Sequence, residues 1–164
     1  MTTLGTAQYL NTFSQNDVRG REDAKLNFNK IPVKIIAETD EIISAGDMVK
    51  LVPGGKTIST VSQIKSTDQY SAKDTYGFIP LARMKNTYGN KDMTTMCLSG
   101  CIMEMIAEEE IQCGQEVAYD ATTTNPQNTG KIKINPSVAA AGVILCGVAM
   151  NDANENQIVR VKIK

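Results

Sequence analysis

Four cysteines, three contiguous glutamates, a Gly-Gly-Lys-Thr tetrapeptide and an Asp-x-Asn-x-Asn triplet are the residues whose types and spacing could do chemistry here. Cys97, Cys101, Cys113 and Cys146 all fall in apolar stretches. Their spacing is not Cys-x-x-Cys, and the sequence holds no histidine to complete a mixed zinc site. Cys97 and Cys101, four apart, would share a face of one strand or helix. They read as reduced thiols packed like small hydrophobes, as in a reducing compartment. Gly54-Gly55-Lys56-Thr57 has the tail of a phosphate-binding loop, but Lys50 stands where that motif needs its first glycine. It reads instead as a hairpin turn. Asp152-Ala-Asn154-Glu-Asn156 begins like a calcium loop, yet Gln157 occupies the glycine position and Ile163 the closing glutamate position, so a polar hairpin loop is expected. Glu108-Glu109-Glu110 reads as a solvated acidic face. A glycosidase would need two carboxylates across a cleft, normally with aromatic platforms, and aromatics make up only 5% of this chain. No Gly-x-Ser-x-Gly elbow occurs, and a cysteine nucleophile would lack its histidine base. No catalytic residue, cofactor or metal ligand is expected.

The elements that would have to position such groups are β-strands. The 164 residues suit one compact domain or two small lobes sharing a core, and 41% hydrophobic residues exclude a disordered chain. Seventeen basic residues against eighteen acidic ones leave a net charge of −1, with no basic stripe of the kind a nucleic-acid partner would need. The longest apolar run, Val138 to Met150, is too short to span a bilayer, and no N-terminal apolar segment reads as a signal peptide. Neither nucleic acid nor membrane is an expected partner.

Residues 1–30 show no sustained period and scatter single apolar residues through a polar segment, which reads as an extended arm. From Ile31 the pattern changes. Ile31, Val33 and Ile35 alternate with Pro32 and Lys34, a half-buried strand whose proline belongs at its start or on an edge. The closing run Ile158 to Lys164 alternates the same way and predicts a strand with one wet face. Lys131–Ile134 reads as another short strand after a turn at 125–130. Met103–Gln112 has good helix formers, but its end falls in a strand-turn context, so short helical turns at most are expected. Eight methionines beside few aromatics either fill core space or form a plastic apolar interface between subunits.

The chain also echoes itself. Glu41-Ile-Ile-Ser-Ala-Gly46-Asp47-Met-Val49-Lys-Leu51 returns as Glu109-Glu-Ile111-Gln-Cys-Gly114-Gln115-Glu-Val117-Ala-Tyr119, and Gly77-Phe-Ile returns as Gly147-Val-Ala. Many short strands separated by turn residues predict an all-β sandwich or barrel of antiparallel strands behind the arm. The β-rich domain is 31–164, and the repeat divides it into similar units at about 31–105 and 106–164.

These phrases, with Ile158-Val-Arg-Val-Lys-Ile163 at the end, resemble the small head proteins of tailed bacteriophages, the cement or decoration proteins on the outside of the shell. The resemblance covers residues 31–164. It implies a non-enzymatic β-rich virion protein, assembled in the host bacterial cytoplasm and lying on the capsid exterior. Such a protein is usually a homotrimer that bridges subunits of the major capsid protein. On that reading Tyr9, Phe13 and Phe28 of the arm would be apolar anchors, and Arg19 and Arg21 would meet carboxylates on the shell. The other readings are a surface-displayed module that binds carbohydrate or a host protein, and a tail-tube-like ring protein.

Overall fold

A computed structural model describes residues 19–22, 28–82, 85–122 and 130–164. Every regular element among them is a strand: β1 (Lys30–Ile35), β2 (Ile43–Ser44), β3 (Met48–Val52), β4 (Ser59–Gln63), β5 (Tyr76–Phe78), β6 (Thr87–Tyr88), β7 (Met93–Cys97), β8 (Ile102–Ile106), β9 (Glu116–Asp120), β10 (Lys131–Ile134), β11 (Val143–Ala149) and β12 (Ile158–Ile163). The protein is all-β. The helix formers of 103–106 lie in β8, where Met103, Met105 and Ile106 bury their side chains in the core. Tertiary burial outweighs a propensity worth only tenths of a kcal/mol per residue.

β1, β4, β3, β5 and β7 close a barrel in that order, and β10, β9, β11, β12 and β8 form a second five-stranded sheet. The two share one wiring. β3 pairs antiparallel with β4 and β5, and β9 pairs antiparallel with β10 and β11. Val49 lies opposite Gly77, and Val117 lies opposite Gly147. β1 runs antiparallel to β7 and parallel to β4. Correspondingly, β8 runs antiparallel to β12, and Ala107, just beyond β8, makes a parallel bridge to Ile132 of β10. That bridge brings the edges of the second sheet together. The sequence echo is therefore a repeat of topology, and the change of unit comes at the turn 98–101. A division at 105/106 would cut the end of β8, which belongs to the second unit.

The turns repeat as well. The Ser44 amide donates to the Asp47 carboxylate at 2.7 Å while the Asp47 amide donates back to the Ser44 carbonyl at 3.0 Å. Gln115 does the same for Gln112, at 2.7 and 3.1 Å. The third residue of each turn has positive φ, 86° at Gly46 and 89° at Gly114, which glycine adopts without steric cost. Glu38–Glu41, Gly89–Asp92 and Asn154–Gln157 repeat the arrangement with Asp40, Lys91 and Asn156 at the positive-φ position. A short side chain ending in an acceptor, placed last in the turn, satisfies an amide that the strand ladders leave behind.

Val33, Ile35, Ile43, Val49, Val61, Ile79, Tyr88 and Met96 fill the first barrel. Their chain neighbours Met48, Phe78 and Cys97 face the other way and join the core of the second unit with Tyr119, Ile132, Ile144 and Val161. Successive side chains on a strand point to opposite faces. Where the second unit covers the barrel wall, both faces are therefore apolar, which explains the pairs Met48-Val49, Phe78-Ile79 and Met96-Cys97. Phe78 meets Tyr119 edge-on at 5.8 Å across the junction. Pro32 lies in the part of β1 that pairs only with β7, because pairing to β4 begins at Val33. Gly54 to Thr57 turn the chain between β3 and β4, and Asp152 to Asn156 lie between β11 and β12, both hairpins as the sequence predicts.

A Cβ at Gly147 would collide with the Lys162 carbonyl, and one at Gly77 with the Cys97 carbonyl. Gly147→Ala should therefore destabilise the fold by about 1–3 kcal/mol, as overpacking against backbone does. Urea unfolding followed by circular dichroism would measure the loss. An unchanged midpoint would show that β11 and β12 can part at no cost.

Candidate functional site

The polar centre of the molecule lies where the two units meet. Asp47, 1% exposed, ends the turn before β3 and accepts from four donors. They are the Ser44 amide at 2.7 Å, Arg19 Nη2 at 2.8 Å, Gln63 Nε2 at 3.1 Å and the Tyr119 hydroxyl at 3.4 Å. Arg19, 3% exposed, also donates to the Ala45 carbonyl at 2.6 Å and the Gly130 carbonyl at 3.3 Å. Tyr119 Oη in turn accepts from the Gly130 amide at 3.1 Å. Burial pushes the Asp47 carboxyl above the ordinary carboxylate range, against the opposing pull of Arg19 and its hydrogen bonds. Burial likewise raises the Tyr119 phenol, which stays a neutral donor. The cluster is buried and bonded internally except at Arg19 Nε, which finds no partner among the described residues, and its contacts all join parts of the chain to one another, as in a structural joint.

The arm is part of this joint. The Gly20 amide donates to the Glu104 carbonyl at 2.7 Å, and the Glu104 amide to the Arg21 carbonyl at 2.8 Å. Residues 20–22 thus lie along the flank of β8, with Glu22 bridged to Met103. The Leu81 amide donates to the Gly20 carbonyl at 2.9 Å, tying the same residues to the first unit. A Cβ on Gly20 would strike the backbone of Ala45 and Gly46, so the crossing requires glycine. Of the segment 1–30 that reads from sequence as an extended arm, residues 19–22 are built into the fold of their own chain.

These contacts correct the role expected of Arg19. Its guanidinium is enclosed by its own chain and cannot reach carboxylates on a shell. The sequence held a signal for this: Asp47, set between Ala45-Gly46 and Met48-Val49, needs a cation once buried. Arg21 pairs with Glu104 at 2.9 Å and stays partly exposed. Phe28, just before β1, is 87% exposed. Tyr9 and Phe13 lie outside the described residues, as do most of the turn at 125–130 and Met84.

Cys97, Cys101 and Cys146 are buried, and Cys113 is exposed in the turn between Gln112 and Gln115. That corrects the placing of all four in apolar stretches, and Cys97 and Cys101 flank a turn instead of sharing one strand. Burial pushes the Cys97 and Cys146 thiols well above the usual range. No group of metal-ligating side chains gathers among the described residues, and no helix among them is long and apolar enough to cross a membrane.

One open cleft of about 450 Å³ lies at the outer end of the junction. Met48, Leu145 and Ile163 line it, with Tyr70 and Tyr76 on one side and Asn29, Asp74, Ser99 and Lys164 among its polar residues. Two of the chain's five tyrosines and an aspartate fall within seven residues of sequence here. That clustering was the available signal, and sequence reasoning passed over it.

No family model and no curated protein matches this chain. Among solved structures, it is similar to the N base of the head fiber gp8.5 of bacteriophage phi29. The identity is 18% and the TM-score 0.42, over 82% of this chain and 92% of that one.

Replacing Arg19 by Met leaves Asp47 buried without its cation and should cost about 3–5 kcal/mol. Adding Asp47→Asn, which keeps an acceptor for the Ser44 amide and removes the charge, should recover a good part of it. A double variant no more stable than Arg19→Met would show that the charge is not what the arginine serves. With Ellman's reagent, the native protein should release one thiol quickly, from Cys113, and all four only in denaturant. A native protein that releases three or four thiols at once would contradict the buried positions.

Proposed function

We infer that this chain is a non-enzymatic structural protein of a tailed-phage virion, lying on the capsid exterior and bridging subunits of the major capsid protein. Two lines support the reading. The phrases that resemble phage head proteins, Ile43 to Lys50 and its echo, are the turn-and-strand frame of both units. The observation that carries it is Phe28. A phenylalanine 87% exposed on the chain entering β1 is a large apolar side chain that the described residues of its own protomer leave largely uncovered. Full burial against a partner is worth roughly 1.5–3 kcal/mol for such a side chain.

A clamp of this kind needs a rigid body and several modest contacts, with no reacting group. The barrel and the second sheet, joined through a shared core and the Arg19–Asp47 pair, supply the rigidity. Arg21, Phe28 and the arm residues Tyr9 and Phe13 are the proposed contact set. Trimerisation would make each contact after the first intramolecular, so that individually weak contacts hold a shell together.

The test is co-sedimentation of the purified protein with shells built from the same virus's major capsid protein, alongside its native mass by light scattering. The expected result is a trimeric mass, saturable shell binding, and a marked loss of binding in Phe28→Ser and in a chain lacking residues 1–18, both still folded. A folded monomer or higher ring that ignores shells would remove this reading.

A further inference from the structure

We propose that the cleft between the two units binds a pyranose sugar, laid face-on against Tyr70. Tyr70 and Tyr76 are stacked, with ring centres 5.8 Å apart and planes 24° from parallel. Tyr76 belongs to β5 and is anchored: its hydroxyl accepts from the Ser71 amide at 3.0 Å and donates to Asp74 at 3.3 Å. One face of Tyr70 is therefore covered, yet the residue remains 42% exposed. It lines the cleft with a ring that the anchored Tyr76 braces by stacking. An aromatic held in place before binding loses little entropy on contact.

A pyranose is two-sided, with a patch of C–H groups on one face and hydroxyls around its edge. The electron-rich face of a tyrosine attracts the slightly positive C–H patch. The hydroxyls each need a donor and an acceptor, and the cleft offers both. Asp74 is an acceptor, engaged among the described residues through one oxygen by Tyr76. The exposed Asn29 gives its side-chain N–H to the Ser99 carbonyl at 3.1 Å, and its amide oxygen is a further acceptor. Ser99 adds a hydroxyl. Lys164 has three donors and uses one on Glu116 at 2.8 Å. Met48, Leu145 and Ile163 form an apolar wall. A volume of about 450 Å³ lies in the range of small-ligand clefts, and such clefts favour domain junctions. A free anion fits poorly, because Asp74 opposes it and Lys164 is already paired. A lipid tail would leave the polar groups of Asn29, Asp74, Ser99 and Lys164 facing hydrocarbon.

The absence of tryptophan makes the test direct, because tyrosine emission is the protein's own signal. The full chain is titrated with glucose, galactose, mannose, N-acetylglucosamine and their disaccharides, with glycerol as the acyclic control and uridine as a stacking control. Amide chemical shifts are followed in parallel. The expected result is a saturable change with at least one sugar in the millimolar range, with shifts at Asn29, Ser99 and Lys164. Tyr70→Ala should abolish it, Asp74→Asn should weaken it several-fold, and Tyr70→Phe, which keeps the ring, should retain it. Unsaturable responses across the panel, an undiminished response in Tyr70→Ala, or a response to uridine alone would overturn the proposal. Tyr70→Phe keeps the comparison valid if Tyr70→Ala fails to fold. Shell binding plays no part in this readout, so the sugar site stands or falls separately from the capsid role.

Discussion

The buried pair between Arg19 and Asp47 is the constraint around which the molecule is arranged. Placing two charges at 3% and 1% exposure carries a desolvation penalty of several kcal/mol per ion, offset by the ion pair and its hydrogen bonds, although Arg19 Nε itself is buried without a partner among the described residues. The partners come from widely separated parts of the chain. Ser44, Ala45 and Gln63 belong to the first unit, Tyr119 and Gly130 to the second, and Arg19 precedes both. Two apolar surfaces can slide past one another at small cost. A carboxylate with four directed donors cannot, so the pair fixes the register in which one unit sits on the other.

The repeat shows why this charge appears once. Asp47 and Gln115 hold the same place in equivalent turns, and each accepts the amide three residues back. For the turn alone, any short side chain ending in an acceptor suffices. The first turn, however, faces the other unit and is buried, while Gln112 to Gly114 of the second turn are exposed. A neutral glutamine satisfies an exposed turn. A buried turn that must also hold an arginine needs the carboxylate. The same asymmetry runs through the strands: Met48, Phe78 and Cys97 are covered by the second unit, whereas alternate residues of β12, such as Arg160 and Lys162, face water.

Much of this was legible before any coordinates. The alternation in Ile31–Ile35 and Ile158–Ile163, the hairpin turns at 53–57 and 152–156, and the echo between 41–51 and 109–119 are all local patterns, and local patterns survive in sequence. What escaped depends on long-range contact. The methionine-rich and glutamate-rich segment after Gly100 looks like a helix because propensity is local, while its strand is imposed by β12 and by residues 20–22. Residues 19–22 show no period because they pair through their backbone and through the charged side chains of Arg19, Arg21 and Glu22, and neither leaves a repeating apolar signature. Tyr70 and Tyr76 were readable only as a pair, and their meeting with Leu145, Ile163 and Lys164 is a product of the fold.

The way the second unit is completed bears on how the chain can fold. The first barrel closes with its own strands, between residues 30 and 97. The second sheet has its edges joined by the single bridge Ala107–Ile132, and the flank of β8 before that bridge is paired by residues 20–22. Residues from before the first unit thus finish the unit that follows it. Contacts so distant in sequence require a large loop closure before they return any stabilisation, which slows folding. The first barrel can form early because its pairings are its own. The second is complete only with residues 20–22 docked on β8, and Arg19 finds its partners only when Ala45, Asp47 and Gly130 are all in place. The ion pair can therefore be fully bonded only where both units have taken their native form, which makes its geometry a check on the junction between them.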